Sequence, residues 1–276
     1  MKIVTFRYRG ALHLGVQEGG HAHALAGPLA NACEHLAALA EAHAGHLSPA
    51  GRPLPLEELA WMAPVPRPGK VICIGLNYRD HAAESGMPVP TSPIYFAKFG
   101  SCVVGAGAPV AIPPGSAQTD YEAEMAIVIG ATARRVSEAD ARAHVLGYAC
   151  FNDVSARDFQ FADGQWIRGK ACDTFAPLGP WIATRDEVPD PQALGIRMRV
   201  NGGTRQDSST AQLVFGVDAL VSFVSRHVTL EPGDVIATGT PPGVGFARRP
   251  PVFLRPGDVM EVEVDGLGVL RNPVVG

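Results

Sequence analysis

From about residue 70 onward, apolar and β-branched residues recur in short runs separated by Gly, Pro and Asp. These runs predict strands over 71–74, 94–98, 124–129, 148–153, 197–200, 234–238 and 259–264. Two Pro-Gly-Asp turns, at Pro232 and Pro256, deliver the chain into the last two. One stretch, 218–226, is amphipathic with a helical period and opens on an acid, Asp218. The polar segment 202–210 reads as a hairpin. The first sixty residues differ in character. Residues 1–17 predict two strands joined by a turn at Gly10, and the Ala/Leu-rich stretch 28–44 predicts a helix with Pro28 in its first turn. The proline-rich connector 61–69 favours extended backbone and excludes helix. The pattern therefore divides the chain into a small α+β domain at 1–66 and a mixed, mainly β domain at 67–276.

Chemistry enters where carboxylates meet this pattern. Glu122 and Glu124 stand two positions apart at the head of the continuous apolar run 125–129, so in a strand their side chains share one face, with Asp120 at the same parity. A buried strand led by carboxylates needs a counter-charge, and a hard divalent ion such as Mg²⁺ or Mn²⁺ supplies it. A solvated acidic strand end, or a calcium site that includes Asp120, would give the same local pattern. Asp153 ends a second apolar stretch and adds a third carboxylate, which makes half of an octahedral shell. Lys170 lies among small and apolar residues near Trp166, either as a snorkelling surface lysine or as a clamp for a substrate oxyanion. His81 and Glu84 are spaced by three, which suits one helical turn and would let the carboxylate fix the imidazole tautomer. Asp158 reads as a turn or helix cap, and Arg157 as an ion-pair partner of Asp158 or another acid.

Composition narrows the class. At 276 residues with a formal net charge of −4 spread along the chain, there is no basic stripe, so nucleic acid is not an expected partner. No apolar segment approaches membrane-spanning length, and the N-terminus lacks the apolar block of a signal peptide, so a cytoplasmic location is expected. The five cysteines contain no Cys-x-x-Cys pair and read as reduced, buried thiols. Six of the nine histidines (His13, His21, His23, His35, His43, His46) fall early without consistent ligand spacing and read as solvated or hydrogen-bonded groups. The loop Gly239-Thr-Pro-Pro-Gly-Val-Gly245 lacks the Gly-Lys-Ser/Thr ending of a phosphate loop, and reads as a rigid turn or cleft wall.

Five motifs stand in one order: Gly75-Leu-Asn-Tyr-Arg-Asp-His81-Ala-Ala-Glu84, Asp120-Tyr-Glu-Ala-Glu-Met, Asn152-Asp-Val-Ser-Ala-Arg-Asp-Phe-Gln160, Gly169-Lys-Ala-Cys-Asp-Thr-Phe-Ala-Pro-Leu-Gly-Pro180 and Ala237-Thr-Gly-Thr-Pro-Pro-Gly-Val-Gly245. From about Lys70 to near the C-terminus the chain resembles the fumarylacetoacetate hydrolase superfamily, in particular the branch of fumarylacetoacetate hydrolase domain-containing proteins and bacterial 2-hydroxyhepta-2,4-diene-1,7-dioate isomerase-like proteins. The resemblance implies a β-sandwich roll and a homodimer. It also implies Mg²⁺ or Mn²⁺ on Glu122, Glu124 and Asp153, a substrate contact at Lys170, and a His81–Glu84 pair on a lid. Arg157, Gln160 and Thr240 match positions that approach the substrate, and loops 87–93 and 162–165 are expected to set specificity. The implied activity is hydrolysis of a C–C bond in an acylpyruvate-type 2-oxo acid. The alternative at the same metal site is an isomerase, tautomerase or decarboxylase of a 2-oxo dicarboxylic acid, and a non-catalytic metal-binding homologue is a third reading.

Overall fold

A computed structural model describes residues 1–162 and 164–276. Asp163, within the expected specificity loop 162–165, lies outside the described residues. The chain is mainly β and builds two principal sheets. The larger, 12-stranded sheet carries, in spatial order, strands Ala50–Pro55, His21–Ala24, Ala11–Glu18, Lys2–Tyr8, Ala176–Thr184, Val145–Asn152, Ala123–Ile129, Val235–Ala237, Val71–Gly75 and Ile94–Lys98, with two short strands off this path. The N-terminal strands are continuous with it, because Lys2–Tyr8 pairs antiparallel with Ala176–Thr184. A 5-stranded sheet stacks Gly203–Ser209, Gly195–Val200, Val259–Val264, Gly268–Val275 and Val110–Ala111.

The central strand Ala123–Ile129 explains why its sequence is apolar without alternation. Met125, Ile127 and Ile129 enter the core between the two sheets with Met198, Val262 and Val264. Ala126 and Val128 face the opposite core, with Leu39 of the N-terminal helix and Phe151. A strand covered on both faces reads as one apolar run. The smaller sheet has the other pattern: Gly195–Val200 and Val259–Val264 each alternate buried and half-buried positions. Its outer face carries Arg199 2.7 Å from Glu263 and 3.3 Å from Glu261.

Several expectations shift. The predicted strand 148–153 runs as Val145–Asn152, so Asp153 lies just beyond its end. The predicted helix 28–44 is Ala32–His43. Asn31 caps it by accepting from the Glu34 N–H at 3.1 Å, and Glu34 accepts in return from the Ala30 N–H at 2.7 Å. This reciprocal cap fixes the start at Asn31 and leaves Pro28 outside, where neighbouring Leu29 bridges to Leu12. The hairpin at 202–210 turns at Asn201-Gly202, both with positive φ, and most of the segment is the returning strand. Cys33 is exposed, unlike the buried Cys73, Cys102 and Cys150. Strand Ala176–Thr184 was hidden by Pro177, Gly179 and Pro180, which ordinarily argue against a central strand.

Candidate active site

The acidic cluster forms where two paired strands end together. Ala123 is in register with Asn152, and Glu124 with Phe151. The Asn152 side-chain carbonyl accepts from the Glu122 N–H at 3.0 Å, and the Asp153 N–H donates to the Glu122 carbonyl at 3.0 Å. This lock brings Glu122, Glu124 and Asp153 together, each buried and each offering one oxygen within 4.8 Å of the others. Asp120 shares their parity but turns elsewhere: its carboxylate accepts from Arg157 Nε at 2.9 Å and from the N–H groups of Gly245 and Phe246 at 2.7 and 3.1 Å.

Three buried cations meet the four buried carboxylates. Lys170 Nζ lies 2.9 Å from Glu122 and 3.0 Å from Asp153. Arg157 reaches Glu122 at 2.6 Å as well as Asp120, donates to Gln160 Oε1 at 3.0 Å, and lies over the Phe246 ring. Lys98 stands 2.7 Å from Asp153. Glu124 has no ion pair among the described residues; it accepts one hydrogen bond, from the Gly239 N–H at 2.9 Å.

The two glutamates respond in opposite ways. Burial opposes ionisation of Glu122, but Lys170 and Arg157 outweigh it and hold its pKa at about 2. For Glu124, burial and then the negative charges of Asp153 and Glu122 push the pKa well up. A cluster with one more carboxylate than cations, three convergent oxygens and one unpaired glutamate fits a hard divalent ion. Glu122, Glu124 and Asp153 are the residues that could hold it.

His81 and Glu84 lie on the short helix Arg79–Glu84, and His81 Nδ1 is 3.0 Å from Glu84 Oε2. Glu84 Oε1 accepts from the Gly243 N–H at 2.9 Å, so the pair is tied to the loop whose Gly239 touches Glu124. Asp80 accepts from Ser208 Oγ at 2.5 Å, and Asn77 donates to the Thr238 carbonyl at 2.8 Å. The helix is thereby docked onto the site loop, with His81 only 9% exposed. Nε2 of His81 makes no hydrogen bond among the described residues, which leaves it as the ring nitrogen free for a substrate. Gly239 has φ +98°, and a Cβ there would sit 2.9 Å from Asn77 Cβ, so the loop needs glycine at that contact.

The predicted site residues fall in or against this constellation, and two of them, Arg157 and Thr240, have their polar atoms engaged within the fold. Arg157 is engaged on all three guanidinium nitrogens inside the chain, with Asp120 and Glu122 rather than Asp158 as its ion-pair partners. Thr240 Oγ1 donates to the Ala123 carbonyl and accepts from Gln206, both spoken for within the fold. Asp158, in the first turn of helix Arg157–Ala162, accepts from the Phe159 N–H at 3.0 Å and also from Ser116 Oγ and the Ala117 N–H, in keeping with a turn or helix cap. Sequence reasoning passed over two residues. Gln206, buried on strand Gly203–Ser209, accepts from the Ala123 N–H at 2.9 Å and donates to Thr240 and the Pro241 carbonyl. Lys98, a lone charge between Ala97 and Phe99 at the end of a predicted strand, was the visible signal of a second buried ammonium.

Comparison with known proteins places the chain in a family. Residues 70–275 match the family model "Fumarylacetoacetate (FAA) hydrolase C-terminal", and residues 1–64 match "Rv2993c-like, N-terminal". Oxaloacetate tautomerase fahd2, mitochondrial, of Xenopus laevis is 52% identical over 219 residues, covering 79% of this chain and 69% of that protein. The Homo sapiens oxaloacetate tautomerase FAHD2A, mitochondrial, is 50% identical over 224 residues, covering 80% and 71%. Among solved structures, the fumarylacetoacetate hydrolase of Exiguobacterium antarcticum has TM-score 0.86 at 38% identity, covering 100% of this chain and 99% of that one. The 2-hydroxyhepta-2,4-diene-1,7-dioate isomerase of Mycobacterium marinum has TM-score 0.84 at 35% identity, covering 100% and 98%. The chain is an enzyme that belongs to the fumarylacetoacetate hydrolase family.

Proposed function

We propose that this enzyme is a divalent-metal-dependent tautomerase or isomerase of a small 2-oxo dicarboxylic acid of the oxaloacetate type. The observation that carries this reading is a single imidazole with its Nδ1 committed to Glu84 and its Nε2 free, tied through Glu84 and Gly243 to the loop whose Gly239 N–H reaches Glu124 of the buried carboxylate cluster. Keto–enol exchange needs one proton removed from the enol oxygen and one delivered to the adjacent carbon, and a tautomer-fixed histidine can do either. Glu84 would hold the ring and stabilise its protonated form. Lys170 would offer a positive charge to the enolate oxygen, and the Gln160 amide, whose carbonyl is taken by Arg157, would offer N–H donors to a carboxylate. Glu122, Glu124 and Asp153 would hold Mg²⁺ or Mn²⁺, and such an ion supplies Lewis-acid stabilisation of negative charge on the chelating substrate oxygens. Relatives named as oxaloacetate tautomerases and isomerases support this assignment over C–C hydrolysis, which is the activity expected from the motifs alone.

Hydrolysis remains the second reading, supported by the structural likeness to a fumarylacetoacetate hydrolase. It would use the same His81 to activate a water against the distal carbonyl. Proton NMR of Mg²⁺-loaded enzyme with oxaloacetate, and separately with an acylpyruvate, tests both. Accelerated keto–enol exchange without loss of carbon, abolished by chelator, supports the tautomerase. Pyruvate plus a free acid from the acylpyruvate supports the hydrolase, and CO₂ with pyruvate from oxaloacetate supports a decarboxylase. We further propose a homodimer as the working assembly.

A further inference from the structure

We infer that Lys98 is a positioning residue that sets the geometry of the candidate metal ligand Asp153 and of Lys170 together, and takes no part in proton transfer. This rests on the metal-site reading above. Lys98 ends strand Ile94–Lys98, the outermost strand of the large sheet, whose Ile94, Tyr95 and Ala97 are exposed. Its own side chain is 0% exposed. Burying an ammonium carries a large desolvation cost unless its surroundings replace water closely. Here they do: Nζ donates to the carbonyls of Val154 at 2.8 Å, Phe175 at 2.7 Å and Lys170.

Those three carbonyls use all three ammonium protons. They belong to the residue after Asp153, to Lys170 itself and to the lead-in of strand Ala176–Thr184. Asp153 Oδ1 lies 2.7 Å away yet makes no hydrogen bond, as expected when every proton points elsewhere, so that contact is one of charge alone. Lys98 therefore has no N–H left for a substrate. What it does is join the backbone behind Asp153 to the backbone of Lys170, so that the carboxylate and the second ammonium converge.

Two simpler roles predict different outcomes. As a counter-charge only, Lys98 would repel a divalent ion, and Lys98→Met would tighten metal binding by Coulomb's law, while Lys98→Arg would leave it unchanged. As an anchor for an edge strand only, either change would lower the melting temperature without altering the affinity of the folded protein. Positioning predicts that both variants weaken metal binding, because a planar guanidinium keeps the charge but cannot meet three carbonyls converging on one nitrogen.

Mn²⁺ binding without substrate, followed by loss of the free-ion electron paramagnetic resonance signal, separates these. Lys98→Met and Lys98→Arg are expected to weaken binding by about tenfold or more, the range typical of residues that orient metal ligands. Lys70→Met is the control, since its ammonium pairs with Asp234 and Glu231 and touches none of the candidate ligands. It should lower thermal stability and leave the Mn²⁺ affinity within about twofold. Circular dichroism identifies folded variants, and if Lys98→Met does not fold, Lys98→Arg decides. Binding as tight as wild type in either folded Lys98 variant overturns the inference while leaving the metal site standing. Absence of Mn²⁺ binding by the wild type overturns the metal reading and this inference with it.

Discussion

Glu122 and Glu124 are identical side chains two positions apart, and their partners give them opposite tasks. Glu122 is held ionised by Lys170 and Arg157, whereas Glu124 has neither and is pushed up by burial and by its acidic neighbours. Glu122→Gln should therefore break two buried pairs and destabilise the metal-free protein by about 3 kcal/mol. Glu124→Gln replaces a group whose ionisation burial already opposes and should leave metal-free stability unchanged or improved. Both should lose Mn²⁺ affinity. Urea unfolding and Mn²⁺ titration of the two variants check this, and equal destabilisation by both would contradict the assignment of their roles. At this scale the three carboxylates were legible from strand parity and from acids placed at the ends of apolar runs. The contacts of Lys98 and Gln206 were not, because they reach segments far away in sequence, which no local pattern records.

The helix Arg79–Glu84, which carries the proposed His81–Glu84 pair, is too short to stand on propensity alone. It is held by Asp80 to Ser208, by Arg79 to the Leu213 carbonyl at 2.5 Å, and by Glu84 to Gly243. The i,i+3 spacing of His81 and Glu84 was readable in the sequence. The docking of the helix onto the glycine loop was not, since it depends on Gly239 passing against Asn77. Glu84→Gln should lower kcat by about 10²-fold, because an amide cannot stabilise the protonated imidazole, with Mn²⁺ affinity unchanged. Steady-state kinetics and metal titration on the same sample test this, and an equal loss of metal affinity would place Glu84 in the metal site instead.

The N-terminal helix offers a pH test independent of catalysis. His35 is buried against Thr5, at 2.8 Å from its hydroxyl, and burial lowers its pKa to about 4. The folded state thus disfavours the charged ring. Stability from neutral His35 is complete above the unfolded-state value near 6.5 and is lost as pH falls from there toward 4. Between pH 7 and pH 5 the loss is on the order of 2 kcal/mol. His35→Gln should reduce the acid sensitivity by that amount in urea unfolding measured at both pH values; an identical slope for the variant would remove His35 as the cause.

At the scale of the whole molecule, one sheet runs from the N-terminal strands to the outermost Ile94–Lys98, and the carboxylates sit where its central strands end. The mainly β class was legible from runs of β-branched residues and Pro-Gly turns. The continuity of residues 2–8 with strand Ala176–Thr184 was not, because it pairs Lys2 with Ala183 and Ile3 with Ile182, far apart in the sequence, and the second strand contains two prolines. No helix among the described residues is long and apolar enough to cross a membrane. Because the three candidate ligands sit on and beside the ends of two strands paired in register, metal binding should stabilise the whole fold. At about a hundredfold excess over its Kd, Mg²⁺ or Mn²⁺ should add roughly 2.7 kcal/mol and raise Tm by about 5 °C, reversed by chelator in scanning calorimetry. An unchanged Tm would argue against occupancy of the cluster.

The proposed reaction is the movement of a proton on a 2-oxo dicarboxylate. The most direct measurement follows the enol absorbance of oxaloacetate as it converts to the keto form, with enzyme plus Mg²⁺, with enzyme plus chelator, and with His81→Ala plus Mg²⁺. Fast decay only in the first sample, with no pyruvate formed, is the predicted result. A decay no faster than buffer containing Mg²⁺, or one accompanied by pyruvate, would contradict it.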